Sequence, residues 1–178
     1  MKNKFIKNIF VATLVVVVAF FALAKKTSSY STQITAYSSG QPVYVQNDIR
    51  VEKLTAFFNK YNSLLTPYAP EFIKAADTYN VDWKLVPAIT GVESTFGKRI
   101  PYKSYNAYGW NNGVYKFGSW EQSIWHVTRV LREKYMNRGA TSVVAIGRIY
   151  APPSSTWAGK VNFFMSKIEK TSPPILDL

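Results

Sequence analysis

The chain has 178 residues, with 22 Lys and Arg, 10 Asp and Glu, one His and no Cys, a length that supports one modest domain. Lacking Cys, it has no disulfide framework, thiolate metal site or Cys nucleophile, and a single His cannot build a multi-histidine metal centre. With 47% hydrophobic and 16% aromatic residues against 18% charged, it can bury a core; chemistry falls to carboxylates, hydroxyls or Lys, and no cofactor is expected.

Lys2, Lys4 and Lys7 precede an apolar run from Ile9 to Ala24, closed by Ala22-Leu23-Ala24 and followed by Lys25 and Lys26. This is the layout of a secretory signal peptide. As a helix the run would measure about 24 Å, short against a hydrocarbon core of about 30 Å. Cleavage after Ala24 is preferred, with a retained N-terminal membrane anchor as the alternative, since Lys25 and Lys26 could flank one. Either way the folded part is expected outside the cytoplasm, in the cell envelope, periplasm or extracellular space. From Lys25 onward there remain 19 basic and 10 acidic residues, so the exported part is strongly basic. Its expected partners are peptidoglycan, other anionic envelope polymers or a membrane surface, not nucleic acid; a solvated, solubilising face is the plainer reading of the same charge.

Residues 25–48 are rich in Ser, Thr, Tyr and Gln and read as a linker or arm. The folded domain is expected over 49–170, as a monomer, with a tail at 171–178. Val51, Leu54, Phe57, Phe58, Tyr61, Leu64 and Leu65 recur at helical spacing, predicting a helix over 49–65 capped by Asp48. A second helix is predicted over 70–79. A third, opened by Asp82, carries the stripe Leu85, Ile89, Val92 and Phe96 and ends near Gly97, with Pro87 expected to distort its first turns. Residues 98–118 read as irregular, with a short hairpin possible around Asn111-Asn112-Gly113. Ser119 with Gln122 forms a capping-box pattern for a helix with Trp120, Ile124, Val127, Leu131 and Tyr135 inward and Gly139 as its stop. Two further helices are predicted over 141–150 and 155–170. The fold class is mainly α, of five or six helices.

Glu93 lies near the C-terminal end of the third helix, beside its apolar stripe. The negative end of the helix dipole disfavours the carboxylate by about 0.3 to 1 kcal/mol, and apolar neighbours act in the same sense. A carboxylic acid that keeps its proton near neutral pH suits protonation of a leaving glycosidic oxygen; a solvated helix-end Glu is the plain alternative. Downstream, Tyr102, Tyr105, Tyr108, Trp110, Tyr115, Phe117 and Trp120 put seven aromatics into nineteen residues without an acid. With Asn106, Asn111 and Asn112 among them they suit the C–H faces and hydroxyls of a sugar chain, or else form core beneath an irregular segment. Tyr108 and Trp110, beside Gly109, are the candidates for exposure to ligand. His126, mid-helix, is read as structural or exposed.

Three motifs in this order resemble the lysozyme-like superfamily of peptidoglycan-cleaving enzymes, in particular the bacterial endo-β-N-acetylglucosaminidase family of flagellar and autolysin domains. Glu93-Ser94-Thr95-Phe96-Gly97-Lys98 is similar to that family's Glu-Ser-x-aromatic-Gly-Lys motif, and Asn106-Ala107-Tyr108-Gly109-Trp110 to its Asn-x-aromatic-Gly segment. Tyr150-Ala151, Pro153 and Trp157-Ala158-Gly159-Lys160 resemble its Tyr-Ala-Thr-Asp-Pro-x-Tyr-Ala-x-Lys motif. The likeness spans residues 68–169. It implies a lysozyme-like helical domain whose irregular or hairpin segment lines a glycan groove. The resemblance further implies Glu93 and Tyr150 as catalytic residues and Ser94, Asn106, Tyr108, Trp110 and Trp157 as substrate-binding ones, with no metal. The chain departs from the family at Pro152-Pro153-Ser154-Ser155, which stands in place of Thr-Asp-Pro.

Glycosidases commonly use two carboxylates, yet none lies between Ser94 and Trp120. Either Glu121 or a distant acid reaches the site, or the substrate's acetamido group or 6-hydroxyl acts as nucleophile. The preferred scheme has Glu93 as acid and then base, Tyr150 stabilising the transition state, and Glu121 serving only its helix start. The expected function is therefore a glycan-strand hydrolase of N-acetylglucosaminidase type. A lytic transglycosylase is the alternative within enzymes, since the Glu-Ser pair is shared with that group, and a non-catalytic wall-binding module the alternative outside them.

Overall fold

The computed structural model describes residues 48–173, so the expected leader or anchor, most of the arm and the end of the tail lie outside the described residues. Six α-helices carry the fold, and no strand occurs among the described residues. They are α1 (Ile49–Lys60), α2 (Ala69–Tyr79), α3 (Leu85–Ser94), α4 (Trp120–Val130), α5 (Val143–Tyr150) and α6 (Trp157–Glu169). None of the described helices is long and apolar enough to cross a membrane.

Asp48 caps α1 by accepting from the Arg50 N–H. The Arg50 guanidinium bridges Asp48 at 2.6 Å and Asp77 at 2.7 Å, tying the start of α1 to the end of α2. The helix stops at Lys60, short of the predicted Leu65. Asn62 takes φ +49°, and the Ser63 hydroxyl accepts from Leu65 N–H and donates to the Phe96 carbonyl, so local side-chain bonds replace the helical ladder. Leu65 is still fully buried: the apolar period placed it in the core without placing it in the helix.

α3 is the central helix, buried at every position from Leu85 to Gly91, as expected of a helix apolar on all sides. Pro87 does not distort it. It is the third residue of the helix, where its missing N–H would have no intrahelical partner anyway. α3 packs chiefly against α6, and α2 against α4. Rings from separate segments close the core, with Phe96 meeting Phe57 at 5.3 Å, Tyr61 at 4.6 Å and Phe164 at 5.0 Å. A Cβ at Gly91 would lie 2.6 Å from the Phe96 ring, so glycine at this place lets the chain fold back under its own helix.

The Ser119 hydroxyl caps α4 by accepting from Gln122 N–H at 3.1 Å, and the Gln122 side chain accepts in turn from Gly118 N–H. Beyond Val130 the helix widens through Leu131–Tyr135, tightens over Met136–Arg138 and ends at Gly139 with φ +96°. Arg132 donates to the Tyr79 carbonyl at 2.7 Å, placing a cation at the negative end of α2. The hairpin expected at Asn111-Asn112-Gly113 does not form. All three residues have positive φ, and Gly113 N–H donates to the Gly109 and Trp110 carbonyls, coiling the segment into successive turns with no paired strand.

Candidate active site

The end of α3 is built unusually. Thr95, Phe96 and Gly97 follow Ser94 with φ of +53°, +58° and +81°. For a β-branched and an aromatic residue this conformation costs roughly 1–2 kcal/mol each. Surrounding bonds hold it. The Thr95 and Phe96 N–H groups both donate to Thr90 O. The Ser94 hydroxyl contacts the carbonyls of Thr90 (3.0 Å) and Ala107 (2.9 Å) as donor and accepts from Gly97 N–H at 2.9 Å. Glu93, one residue before this knot, is thereby held at the last turn of α3 with the Asn106–Trp110 segment against it.

The Glu93 carboxyl is half-buried. Its Oε1 accepts from the indole N–H of Trp157, the first residue of α6, at 2.7 Å. Its Oε2 lies beside Gly109, where an added Cβ would come within 3.1 Å of it. Burial raises the pKa of the carboxyl above the ordinary 4.5, while the Trp157 N–H and the positive field of Lys160 pull the other way without reversing it. Tyr150, at the end of α5, stacks on Trp157 with ring centroids 5.1 Å apart and donates its hydroxyl proton to the Tyr108 carbonyl. Its pKa is pushed well above 10.0 by burial and then by the nearby charge of Glu93, so the phenol stays neutral. Glu93, Tyr150, Trp157 and the Tyr108–Gly109 peptide thus form one cluster drawn from three helices and a loop.

The expected substrate-binding side chains divide. Trp110 is half-buried, with its ring 6.2 Å from Tyr150 and 5.5 Å from His126, and it can offer a face to a ligand. Tyr108, expected to be exposed, is instead 0% exposed. Its ring packs on Phe117 and its hydroxyl is buried without a hydrogen bond, although the Ser123 hydroxyl, whose proton goes to Trp120 O, lies close enough to moderate its raised pKa. Ser94 and Asn106 are each 2% exposed, and their polar atoms are spent inside the protein. Asn106 donates to the carbonyls of Trp110 and Tyr115 and accepts from Trp110 N–H at 2.9 Å, which closes the 106–115 turn. Trp157, at 3% exposure, has its polar atom on Glu93. These four shape the cluster from beneath; apolar packing and internal hydrogen bonds claimed the groups a ligand would have needed.

Other residues fall where their chemistry is plain. Glu121 is exposed in the first turn of α4. His126 is half-buried against Trp110, Tyr115 and Phe117, and burial and then Arg129 lower its pKa, keeping it neutral near pH 7. Among the described residues no cluster of three or more His, Asp and Glu could hold a metal ion. Two open grooves flank the first half of α6, one of about 670 Å³ walled by Val92, Lys160 and Phe163, the other of about 310 Å³ walled by Arg148, Pro153 and Ser155. Neither is lined by Glu93, whose chain neighbour Val92 borders the larger. Two contributors escaped the sequence reading: the bare Gly109 backbone at Oε2 and the Lys160 field. The i,i+3 spacing of Trp157 and Lys160 on α6 is the signal that could have found the second. No protein-family model and no curated protein matches this chain.

Proposed function

We propose that the protein is an exported peptidoglycan glycan-strand hydrolase that cleaves a β-1,4 glycosidic bond with Glu93 as general acid, most like an endo-β-N-acetylglucosaminidase. The observation that carries this reading is the Glu93 carboxyl, half-buried at a helix C-terminus, its pKa raised by that burial, and oriented by a hydrogen bond from Trp157. Tyr150 supports it. Its proton is committed to the Tyr108 carbonyl, so its oxygen lone pairs are what it offers to positive charge developing at a sugar ring. Trp110 supplies the adjoining aromatic face.

One observation favours a second reading. Lys160 is the charge that acts on Glu93 among the described residues, which favours a scheme in which one carboxyl serves as acid and then as base. That economy suits a lytic transglycosylase, in which the sugar's own 6-hydroxyl attacks, as well as a hydrolase assisted by the acetamido group. Incubating the purified full-length protein with peptidoglycan sacculi and weighing the soluble fragments by mass spectrometry separates the cases. New reducing N-acetylglucosamine ends support the hydrolase and 1,6-anhydro-muramyl ends the transglycosylase. Absence of fragments removes both and leaves a wall-binding module; undiminished release by Glu93→Gln removes Glu93 as the acid.

A further inference from the structure

We infer that Glu93 carries its acidic proton on one defined oxygen, Oε2, that Trp157 is the positioning residue that puts it there, and that Gly109 keeps that oxygen open to the substrate. The inference rests on the proposed role of Glu93 as the acid and adds to it which atom acts and what selects it.

An indole N–H can only donate. Oε1 accepts it at 2.7 Å, and within a protonated carboxyl the carbonyl oxygen is the better acceptor. The donor therefore makes Oε1 the carbonyl and leaves the O–H to Oε2. Trp157 cannot swing away: it is buried, stacked on Tyr150 with planes 28° apart, and seated so closely on α5 that a Cβ at Gly147 would lie 2.9 Å from its ring. On the other side, Oε2 meets Gly109, an exposed residue with φ +64°. The Tyr150 hydroxyl pins the preceding carbonyl, so the peptide stays in place and its missing side chain is the opening. Any Cβ there would crowd Oε2 at 3.1 Å besides sitting in the left-handed region.

The step follows. The Oε2–H bond breaks as its proton passes to the bridging oxygen; the anomeric C–O bond breaks with its electron pair going to that oxygen, and Glu93 is left as carboxylate. The oxygen of water, or of the sugar's own 6-hydroxyl, then bonds to the anomeric carbon as its proton passes to Oε2, which restores the acid. Through both halves Oε1 keeps its bond to Trp157.

The test uses the full-length protein. In ¹⁵N-labelled wild type, the Trp157 indole N–H resonance is expected to titrate with a midpoint above pH 4.5 and to stop titrating in Glu93→Gln; a Trp157 resonance that is flat across the Glu93 titration overturns the inference. Trp157→Phe is expected to lose roughly tenfold in kcat and to move the alkaline limb of the pH profile upward, because the lost donor had been lowering the Glu93 pKa. An unchanged limb overturns the positioning role, and the indole titration stands in for this variant should it fail to fold. Gly109→Ala is expected to lose more than tenfold, while Gly139→Ala, which has φ +96° and nothing within 4 Å of its Cβ position, carries a similar backbone strain and keeps activity. Equal loss in the two refutes the opening at Oε2. If wild type releases nothing from sacculi, the proposed function falls, and the indole titration still decides whether Trp157 bonds the Glu93 carboxyl.

Discussion

Among the described residues two glutamates accept from tryptophan indoles, and the two pairs behave oppositely. Glu71, in the first turn of α2, accepts from the Trp125 indole at 3.0 Å; Glu93, in the last turn of α3, accepts from the Trp157 indole at 2.7 Å. Glu71 also accepts from the Lys74 ammonium at 2.8 Å and its pKa is lowered, first by that bond and then by Trp125. Glu93 has no cation in contact among the described residues, and burial raises its pKa above 4.5 in spite of Trp157. The helix dipole favours the charged form at Glu71 and opposes it at Glu93. One donor type, placed against two carboxylates, therefore accompanies a lowered pKa in a structural ion pair in one place and a raised pKa in the other. Burial, dipole sign and the missing ammonium make the difference.

The largest expected effect separates the pairs by activity. Glu93→Gln should lower release of fragments from sacculi by at least about 100-fold, the usual contribution of a positioned general acid, while Glu71→Gln leaves it unchanged; comparable losses in both would erase the distinction. Tyr150→Phe comes next. It leaves the Tyr108 carbonyl without its donor, so a stability loss of about 1–2 kcal/mol is expected in denaturant unfolding, with a fall in activity that Tyr79→Phe, near Trp125, does not show.

A third contrast is in the sign of the pH dependence. Folded Glu93 holds its proton where the unfolded chain has released it, so its contribution is present at acid pH and is lost as pH rises through the folded pKa. Folded Glu71 is the reverse: its contribution is present above 4.5 and is lost as pH falls through the lowered value. Relative to wild type, Glu93→Gln should therefore gain stability as pH rises from 4.5 through the raised value, and Glu71→Gln should lose it as pH rises from the lowered value to 4.5, as read from urea midpoints on either side of 4.5; parallel trends would contradict the assignment. The smallest effect is that of Lys74→Met. The pair it removes is largely exposed on the Lys side, so the cost should be below about 1 kcal/mol and should shrink in high salt, while the Glu71 carboxyl titrates closer to its ordinary value by ¹³C NMR.

Much of this contrast could be read before any coordinates. Helical periods and the Asp48 and Ser119 caps place α1 and α4, because they rest on residues within four positions of one another. The dipole's opposite action on Glu71 and Glu93 is likewise legible, since it depends only on which end of a helix each occupies. The aromatic segment after Glu93 was readable as special but not as a set of roles: Tyr102 is 81% exposed and Tyr108 fully buried, and six positions separate them. The Tyr108 ring packs on Phe117, while the Tyr102 ring meets Lys103.

By itself, the sequence determined a mainly helical domain, its strong positive charge and one acid at the wrong end of a buried helix, all properties of local order. Tertiary structure decided that Trp157, 64 positions away, would give its N–H to that acid, that Gly109 would lie bare against the other oxygen, and that Ser94 and Asn106 would spend their polar atoms on the scaffold. The reason is range. A carboxyl's proton affinity is set by dipoles and desolvation within a few ångströms, and in a folded chain the neighbours at that distance come from segments far apart along it.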